Sequence, residues 1–431
     1  MKLSSILGLN ARTQLFASRY NSKAGKKVAD SKLQTARVLK KAEVPHPTLY
    51  KKFRDPQEVL DFNWFKLPEK FALKPSRGLG GAGIIVVKKK SADGRGWFTT
   101  QKEKITPDDL KLHTLDILEG AYSMGNEPDV AFVQEYVGRH EAFRKWAFRG
   151  TPDVRVIVFN KVPVMAMLRL PTRESGGRAN LHQGALGVGV DIATGITTKA
   201  IWHGEQIVNK PGTTKRLRGI KIPNWTEVLE TAVEAQIASG LTYIGVDIVI
   251  HPTKGPMVLE LNAQPGLQIQ LANMEGLKKR LERVEELDVS DAKHGVMIAT
   301  ALFAGRFKSA KAVEAGVKTI KNDEVVKIVL PNGKRIAIDA KVDTGAWRSS
   351  IDKSFAEKHG LLNEGNVLWT KVFKSSLGTE KRPIINISYY LAGNRINSMA
   401  SLANREGLKK AFIIGRRDLQ GFLIKVNDYA K

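Results

Sequence analysis

Three features of the sequence predict an α+β protein that ends in a small, separate all-β domain. Two apolar runs, 243–250 (YIGVDIVI) and 258–268 (VLELNAQPGLQ), read as buried strands yet carry Asp247, Glu260 and Asn262. A strand at 71–75 (FALKP) enters the glycine-rich stretch 76–83 (SRGLGGAG) and a second strand follows at 84–87. Beyond residue 320 the chain turns to short β segments with hairpin signals at Asn332-Gly333 and Gly393-Asn394. The expected organisation is one domain over 1–305, a linker over 306–321 and a second domain over 322–431.

The 431 residues are enough for two or three domains, and 42% hydrophobic content is enough to pack them. With no cysteine, disulfide frameworks and thiolate metal sites are excluded. No apolar run approaches the ~18 residues of a membrane-spanning helix. The short, interrupted apolar stretch near Met1 is too weak for a secretory signal, so a cytoplasmic location and no membrane association are expected. The formal net charge of +26 attracts nucleic acid, acidic protein segments or anionic surfaces. No zinc-finger, RNP-type or basic-zipper pattern supports nucleic acid. The excess is spread along the chain, with clusters at Lys88-Lys89-Lys90, Lys278-Lys279-Arg280 and Lys409-Lys410. An ordinary basic surface fits it equally.

In chain order, residues 1–29 are expected to be irregular or a short helix. Asp30 is the expected cap of a helix over 31–42. Thr106, with Asp109 three on, opens a helix to about 119. A strand over 129–137 (DVAFVQEYV) precedes a strand pair over 153–159 and 162–170, joined by Asn160-Lys161. A helix over 225–239 is opened by Asn224 and closed by Gly240. Helices over 276–286 and 290–304 follow.

The chemistry resides in residues that break apolar patterns. Two-residue alternation puts Glu260 and Asn262 on one strand face, and Asp247 interrupts the neighbouring strand. Buried oxygens of this kind need a cation, and hard oxygen ligands suit Mg²⁺. Glycines at 78, 80, 81 and 83 let backbone N–H groups approach phosphate, and Lys74 adds a point charge at the strand end. Arg155 and Arg169 interrupt adjacent strands and require either a bound anion or a structural salt bridge. The polar stretch 178–184 (RANLHQG) suits a loop over a site, with His182 as a catalytic or merely hydrogen-bonded histidine.

Residues from about 28 to 275 resemble the ATP-grasp superfamily, in particular its alpha-L-glutamate ligase-like branch related to RimK. The resemblance rests on Asp30-Ser31-Lys32-Leu33, Leu73-Lys74-Pro75 with its glycine loop, Gln134-Glu135-Tyr136-Val137, Asp153-Val154-Arg155 and Met167-Leu168-Arg169. It continues through Asn180-Leu181-His182-Gln183-Gly184, Gly245-Val246-Asp247 and Glu260-Leu261-Asn262-Ala263. It implies that Lys32, Lys74 and Gly78, Gly80, Gly81 and Gly83 contact nucleotide phosphates. Gln134, Glu135, Tyr136 and Val137 would hold the adenine edge, and Asp247, Glu260 and Asn262 would bind Mg²⁺ or Mn²⁺. Arg155, Arg169 and Asn180 would face the transferring phosphoryl group. The implied reaction is ATP-dependent carboxylate–amine ligation through an acyl phosphate, joining an amino acid such as glutamate to a peptide or small acceptor. One departure touches acceptor specificity: Gln264 stands where related proteins often carry arginine. The part preceding the fold is also shorter than in many ATP-grasp enzymes.

Residues from about 322 to 428 resemble the retropepsin-like family also known as ATP-dependent zinc proteases, on Asp343-Thr344-Gly345-Ala346, Asn404-Arg405-Glu406 and Gly415-Arg416-Arg417-Asp418-Leu419. The chain has no HExxH or close Cys/His cluster to support zinc. The resemblance implies a catalytic Asp343 and, because an aspartic mechanism uses two carboxylates, a homodimer through this domain. A module that binds an acidic peptide is the other reading of it. For the whole chain the rivals to the ligase are a nucleotide-gated binding protein and a peptidase regulated by the ATP-grasp half.

Overall fold

The computed structural model describes residues 5–78, 80–303, 318–375, 378–405 and 410–425. Leu79, Glu406, Lys409 and residues 306–317 of the expected linker lie outside the described residues. The chain divides into two compact units, Met1–Glu286 and Leu287–Lys431. The first unit thus stops short of residue 305. The helix Ala292–Phe303 lies in the second unit, where His294 Nε2 meets the Leu368 carbonyl at 2.8 Å. Residues 318–321 of the expected linker are strand.

The N-terminal segment is more helical than its composition suggested. Leu9–Ala11, the π-helical Arg12–Ala17 and Ser18–Tyr20 run on from one another, and Lys23–Ala29 follows. Asp30 closes that last helix instead of opening the next. Ser31 is the cap, its hydroxyl accepting from Gln34 N at 3.3 Å, and the helix runs Lys32–Lys41.

The first sheet of this unit contains β1 (Leu49–Phe53), β2 (Phe71–Pro75), β3 (Ile85–Lys90), β4 (Trp97–Thr99), β5 (Lys104–Ile105) and β6 (Ala131–Glu135), in the order β1-β6-β2-β3-β4-β5. Period-two alternation sorts its faces. Phe71, Leu73, Val87 and Val133 pack with Trp64, Trp97 and the helix residues Leu110 and Ile117. That helix, Pro107–Leu118, has the reciprocal Thr106–Asp109 cap expected for it. Ala72 and Lys74, opposite Gln134 and Phe132, occupy the other face of β2.

The second sheet contains β7 (Asp153–Phe159), β8 (Val162–Leu170), β9 (Leu186–Val190), β10 (Thr197–Trp202), β11 (Glu205–Ile207), β12 (Tyr243–His251) and β13 (Gly255–Asn262). Its order is β11-β10-β9-β8-β7-β12-β13. Asn160 and Lys161, at φ 49° and 60°, make the two-residue turn between β7 and β8. The helix Trp225–Ser239 ends at Gly240, φ 67°, and delivers the chain to β12. Of the helix expected over 276–286 only Lys278–Glu282 forms.

The second unit is mainly β. It comprises β14 (Lys318–Lys321), β15 (Asp323–Val329), β16 (Arg335–Asp343), β17 (Ser349–Asp352), β18 (Val367–Ser375), β19 (Gly378–Leu391), β20 (Asn394–Ala403), β21 (Phe412–Gly415) and β22 (Phe422–Lys425). Strands β15-β16-β21-β17-β20-β19 are neighbours in that order, and β15 also pairs with β19, so the six close into a ring with β18 outside it. The short β17 and the helix Lys353–Lys358 were not anticipated. The β19–β20 turn is Ala392-Gly393, at φ 48° and 78°, one residue before the predicted pair. Among the described residues no helix is long and apolar enough to cross a membrane.

Inside the ring Asp418 is buried and accepts from three hydroxyls: Ser349 Oγ at 2.5 Å, Ser398 Oγ at 2.5 Å and Tyr389 Oη at 2.9 Å. It ties β17, β20 and β19 to the turn after β21. Replacing it by alanine leaves these hydroxyls without that acceptor. Asp418→Ala is therefore expected to destabilise the second unit by about 3 kcal/mol, read from its urea midpoint.

Candidate functional site

The second sheet carries a band of charge across its centre. Register places Asp247 of β12 between Arg155 of β7 and Glu260 of β13, and Asp153 beside Arg169 of β8. Asp153 and Arg155 are two apart, so all five share one face. Arg155 grips Asp247 in a fork, Nε to Oδ1 and Nη2 to Oδ2, both 2.7 Å. Arg169 grips Asp153 likewise, at 2.5 and 2.7 Å, and its Nη2 also reaches Asp247 Oδ2 at 2.7 Å. Asn262 Nδ2 lies 3.4 Å from the same oxygen. Of the two readings of the arginines, the salt bridge is the one formed here. Their side chains are 14% and 11% exposed, so neither arginine is wholly sealed from solvent.

Burial and charge set the proton affinities of this network. Burial pushes the Asp247 carboxyl up, but the two guanidiniums outweigh it and hold the group down near 2. Asp153 shares one guanidinium with Asp247 and is more strongly governed by burial, which raises it to about 6. Arg169 is raised, because two carboxylates outweigh its own desolvation.

Facing the glycine loop is a second group. Lys74 is 8% exposed, and its ammonium is pushed down to about 8, first by burial and then by Lys32, with Glu260 opposing. Lys32 Nζ donates to the Gly78 carbonyl at 2.8 Å. The loop tip is held from the other side: Asn180 Nδ2 and Gln183 Nε2 both donate to Gly80 O at 3.2 Å. Asn180 Oδ1 also caps the turn Leu181–Gln183, on which His182 is exposed. At the loop's far end Gly83 has φ 69°, and a Cβ there would sit 2.5 Å from the Tyr122 ring. His113 Nε2 bonds Gly83 O at 2.9 Å. Gly81, also at positive φ, lies against the Arg178 side chain.

In the stretch 134–137, which would be the hinge along an adenine edge, Gln134 and Tyr136 are half-buried, and Glu135 and Val137 are buried. The Glu135 carboxylate receives Lys254 Nζ at 2.5 Å and Thr48 N at 3.2 Å. Burial works against it, but these donors bring its proton affinity below the usual carboxylate range. Near Gln264, Arg12 Nη1 reaches the carbonyls of Gln264 and Pro265 at 3.2 and 3.0 Å, and Nη2 reaches Gln264 Oε1 at 3.2 Å. An arginine from the N-terminal π-helix thus stands at a position where the sequence has glutamine.

Several pairings escaped the sequence reading: Gln183 on Gly80, Lys254 on Glu135, His113 behind Gly83 and Asp153 beneath Arg169, although Gln183 and Asp153 lie in stretches singled out there. The last was legible, since Asp153 lies two residues from Arg155 on the same face. The others come from segments distant in sequence. Among the described residues no cluster of three His, Cys, Asp or Glu forms a metal site by itself. Any cation here must use Asn262 or ligand oxygens.

Two sheets, a glycine loop held from both sides and a buried lysine under the influence of the Glu260 carboxylate make this an ATP-grasp protein. The chain belongs to the sugar-transfer associated ATP-grasp family, whose model matches residues 11–286. A probable alpha-L-glutamate ligase of Xanthomonas euvesicatoria pv. vesicatoria (strain 85-10) is 26% identical over 214 residues, 50% of this chain and 50% of that protein. The chain spans about half the length of the curated relatives it matches. Among solved structures, the ATP-grasp ligase PsnB with a minimal precursor is 20% identical, with a TM-score of 0.30 over 57% of this chain and 56% of that one. The protease of simian foamy virus (mac) is 12% identical, with a TM-score of 0.17 over 22% of this chain and 90% of that one.

Asp247→Ala leaves Arg155 and one edge of Arg169 buried without a counter-charge. It is expected to destabilise the first unit by about 3–5 kcal/mol in urea unfolding.

Proposed function

We propose that the first unit is a Mg·ATP-dependent carboxylate–amine ligase. The observation that carries this reading is the opposition of two charge groups, each built on a buried residue: Lys74, with Lys32, beside the glycine loop, and Asp247, flanked by Glu260 and Arg155, on the second sheet. ATP would lie with its adenine edge along 134–137 and its phosphates under Gly78, Gly80, Gly81 and Gly83, held by Lys32 and Lys74.

The oxygen set fits Mg²⁺. Glu260 and Asn262 supply oxygens from one strand face, and Asp247 keeps an Oδ1 lone pair outside its hydrogen bonds to the arginines. The ion would offset charge on the β- and γ-phosphates. The chain's own residues would do the rest. Lys74 and Lys32 hold the phosphate oxygens, and Asp247 and Asp153 aim Arg155 and Arg169 at the transferring group. Asn180 keeps the loop closed over it. A substrate carboxylate attacks the γ-phosphorus, the bond to the β–γ bridging oxygen breaks, and ADP leaves. A neutral amine then attacks the acyl carbon; the C–O bond to phosphate breaks, and the amine proton leaves with the phosphate. Positioning and electrostatics supply most of the catalysis. The glutamate-ligase relatives favour an amino acid such as glutamate as one partner and a peptide as the other, with an acidic acceptor suited to the basic surface.

In the second unit we infer half of an aspartic-protease site of retropepsin type. Asp343 ends β16, and its Oδ1 accepts from Gly345 N at 2.8 Å and Ala346 N at 3.1 Å, which fixes the carboxyl. A second copy would supply the partner carboxylate. Peptide cleavage that disappears in Asp343→Asn, with a dimer in sedimentation, is the expected result. A monomer without cleavage would leave an acidic-peptide binding module.

For the ligase the decisive measurement is ADP release with Mg·ATP across amino acids and peptide acceptors. Turnover should require both partners and fall at least about 100-fold in Glu260→Ala. ATP binding without turnover under every pairing would favour a nucleotide-gated binder.

Lys74 adds a pH signature. A folded-state value lowered to about 8 means that the ammonium is charged below that pH and neutral above it. Nucleotide affinity is expected to fall as pH rises through 8, and in Lys74→Met to be weak and flat between pH 7 and 9. The stability linkage has the opposite sign. The unfolded chain binds more protons between 8 and the ordinary lysine value, so stability gains from this group as pH rises across that window.

A further inference from the structure

The first unit has a cleft of about 580 Å³ that contains none of the residues assigned above to phosphate or metal. Its cations are Lys88 and Lys89 of β3, Lys102 of the β4–β5 turn, and Arg139 and Arg149 from the segment after the hinge. Phe98 and Tyr136 supply aromatic walls, and Tyr136 is one of the hinge residues. No acidic side chain is among the described residues lining it. None of the five cations takes part in an ion pair among the described residues.

Two of the charges are held at a conformational cost. Lys102 has φ 72° and Arg149 φ 50°, the left-handed region where glycine or asparagine is cheaper. Non-glycine residues persist in such positions where the surroundings or function hold them. The arginines are also fixed in place. Arg149 Nη1 donates to Gln101 O at 3.2 Å and Gln101 Oε1 at 3.3 Å, and Arg139 Nη1 donates to Ala147 O at 2.9 Å. Each guanidinium is anchored along one edge, leaving other N–H groups for a ligand. Crowding of like charge extends beyond the lining: Lys210 is pushed down by burial, then by Lys215 and Arg139.

The geometry points to a binding site for a small polyanion, bearing at least two phosphate or carboxylate groups, beside the hinge and separate from the nucleotide phosphates. The volume lies in the range of small-molecule sites. Planar guanidiniums suit forked contact with either anion, and an uncompensated group of five cations gains most from a multiply charged ligand. The inference does not depend on the ligase reading, because it concerns binding without turnover.

The experiment is calorimetric titration of the full chain with tripolyphosphate and citrate as probes, in the presence of saturating AMP-PNP so that the nucleotide phosphates already fill the glycine-loop site. At least one should bind, more weakly at higher salt, and the tighter probe names the anion class. Lys102→Gly combined with Arg149→Asn should weaken binding about tenfold or more. Both replacements suit positive φ, so the unfolding temperature should not fall. The inference is overturned if neither probe binds, or if the double variant binds as tightly as the parent.

Discussion

Arg169 is shared. One guanidinium, between Asp153 on one side and Asp247 on the other, joins three strands of a sheet whose interior is otherwise apolar. Removed from water, two carboxylates at this spacing would repel each other. With Arg155 completing the group, they become a rigid row of alternating sign. The rest of the first unit is placed relative to that row. Glu260 and Asn262 are positioned by the register of β13 on β12, and the glycine loop is carried by the strand bearing Lys74. Asn180 and Gln183, which hold the loop tip, lie on the segment between β8 and β9. The site is therefore a property of sheet register, and a one-residue slip of β12 would turn Asp247 to the opposite face.

Much of this was legible in the sequence because the strands are nearly continuous apolar runs, where a charged residue stands out. Asp247, Glu260, Asn262, Arg155 and Arg169 were selected in that way, and the structure brings them onto one face. Their partners were less legible. Asp247 reads from sequence as an acid in need of a cation, and the structure supplies two guanidiniums. Arg155 and Arg169 pair with Asp247 and Asp153, and Asp247 Oδ1 keeps a lone pair beyond those bonds. Pattern reveals that a charge is buried, while pairing depends on which strands lie side by side.

Boundaries were decided by competition between adequate local signals. Asp30 and Ser31 are both good caps, and the preceding helix takes Asp30 for its own end. Gly393 fits a hairpin with either neighbour, and the register of β19 on β20 selects Ala392. Lys254 and Gln183 act across more than a hundred residues or from another loop, and no local signal marks such contacts.

Ring closure in the second unit has a consequence for solubility. Six strands have neighbours on both sides, and among the described residues β18 is the strand of that sheet with an unpaired edge. An open edge is a template for another chain, but this one is guarded. Lys371 stands opposite Arg382, and both cations lie over the ring of Phe373, at 5.8 and 5.2 Å. A second copy approaching edge to edge would bring the Lys371 ammonium of each copy together, while Arg382, on β19, is paired with Glu380 at 2.7 Å. Same-sign charge along an exposed edge is a recognised defence against runaway strand pairing. Self-association of this unit would therefore favour a surface away from β18, and growth into sheets would stop there.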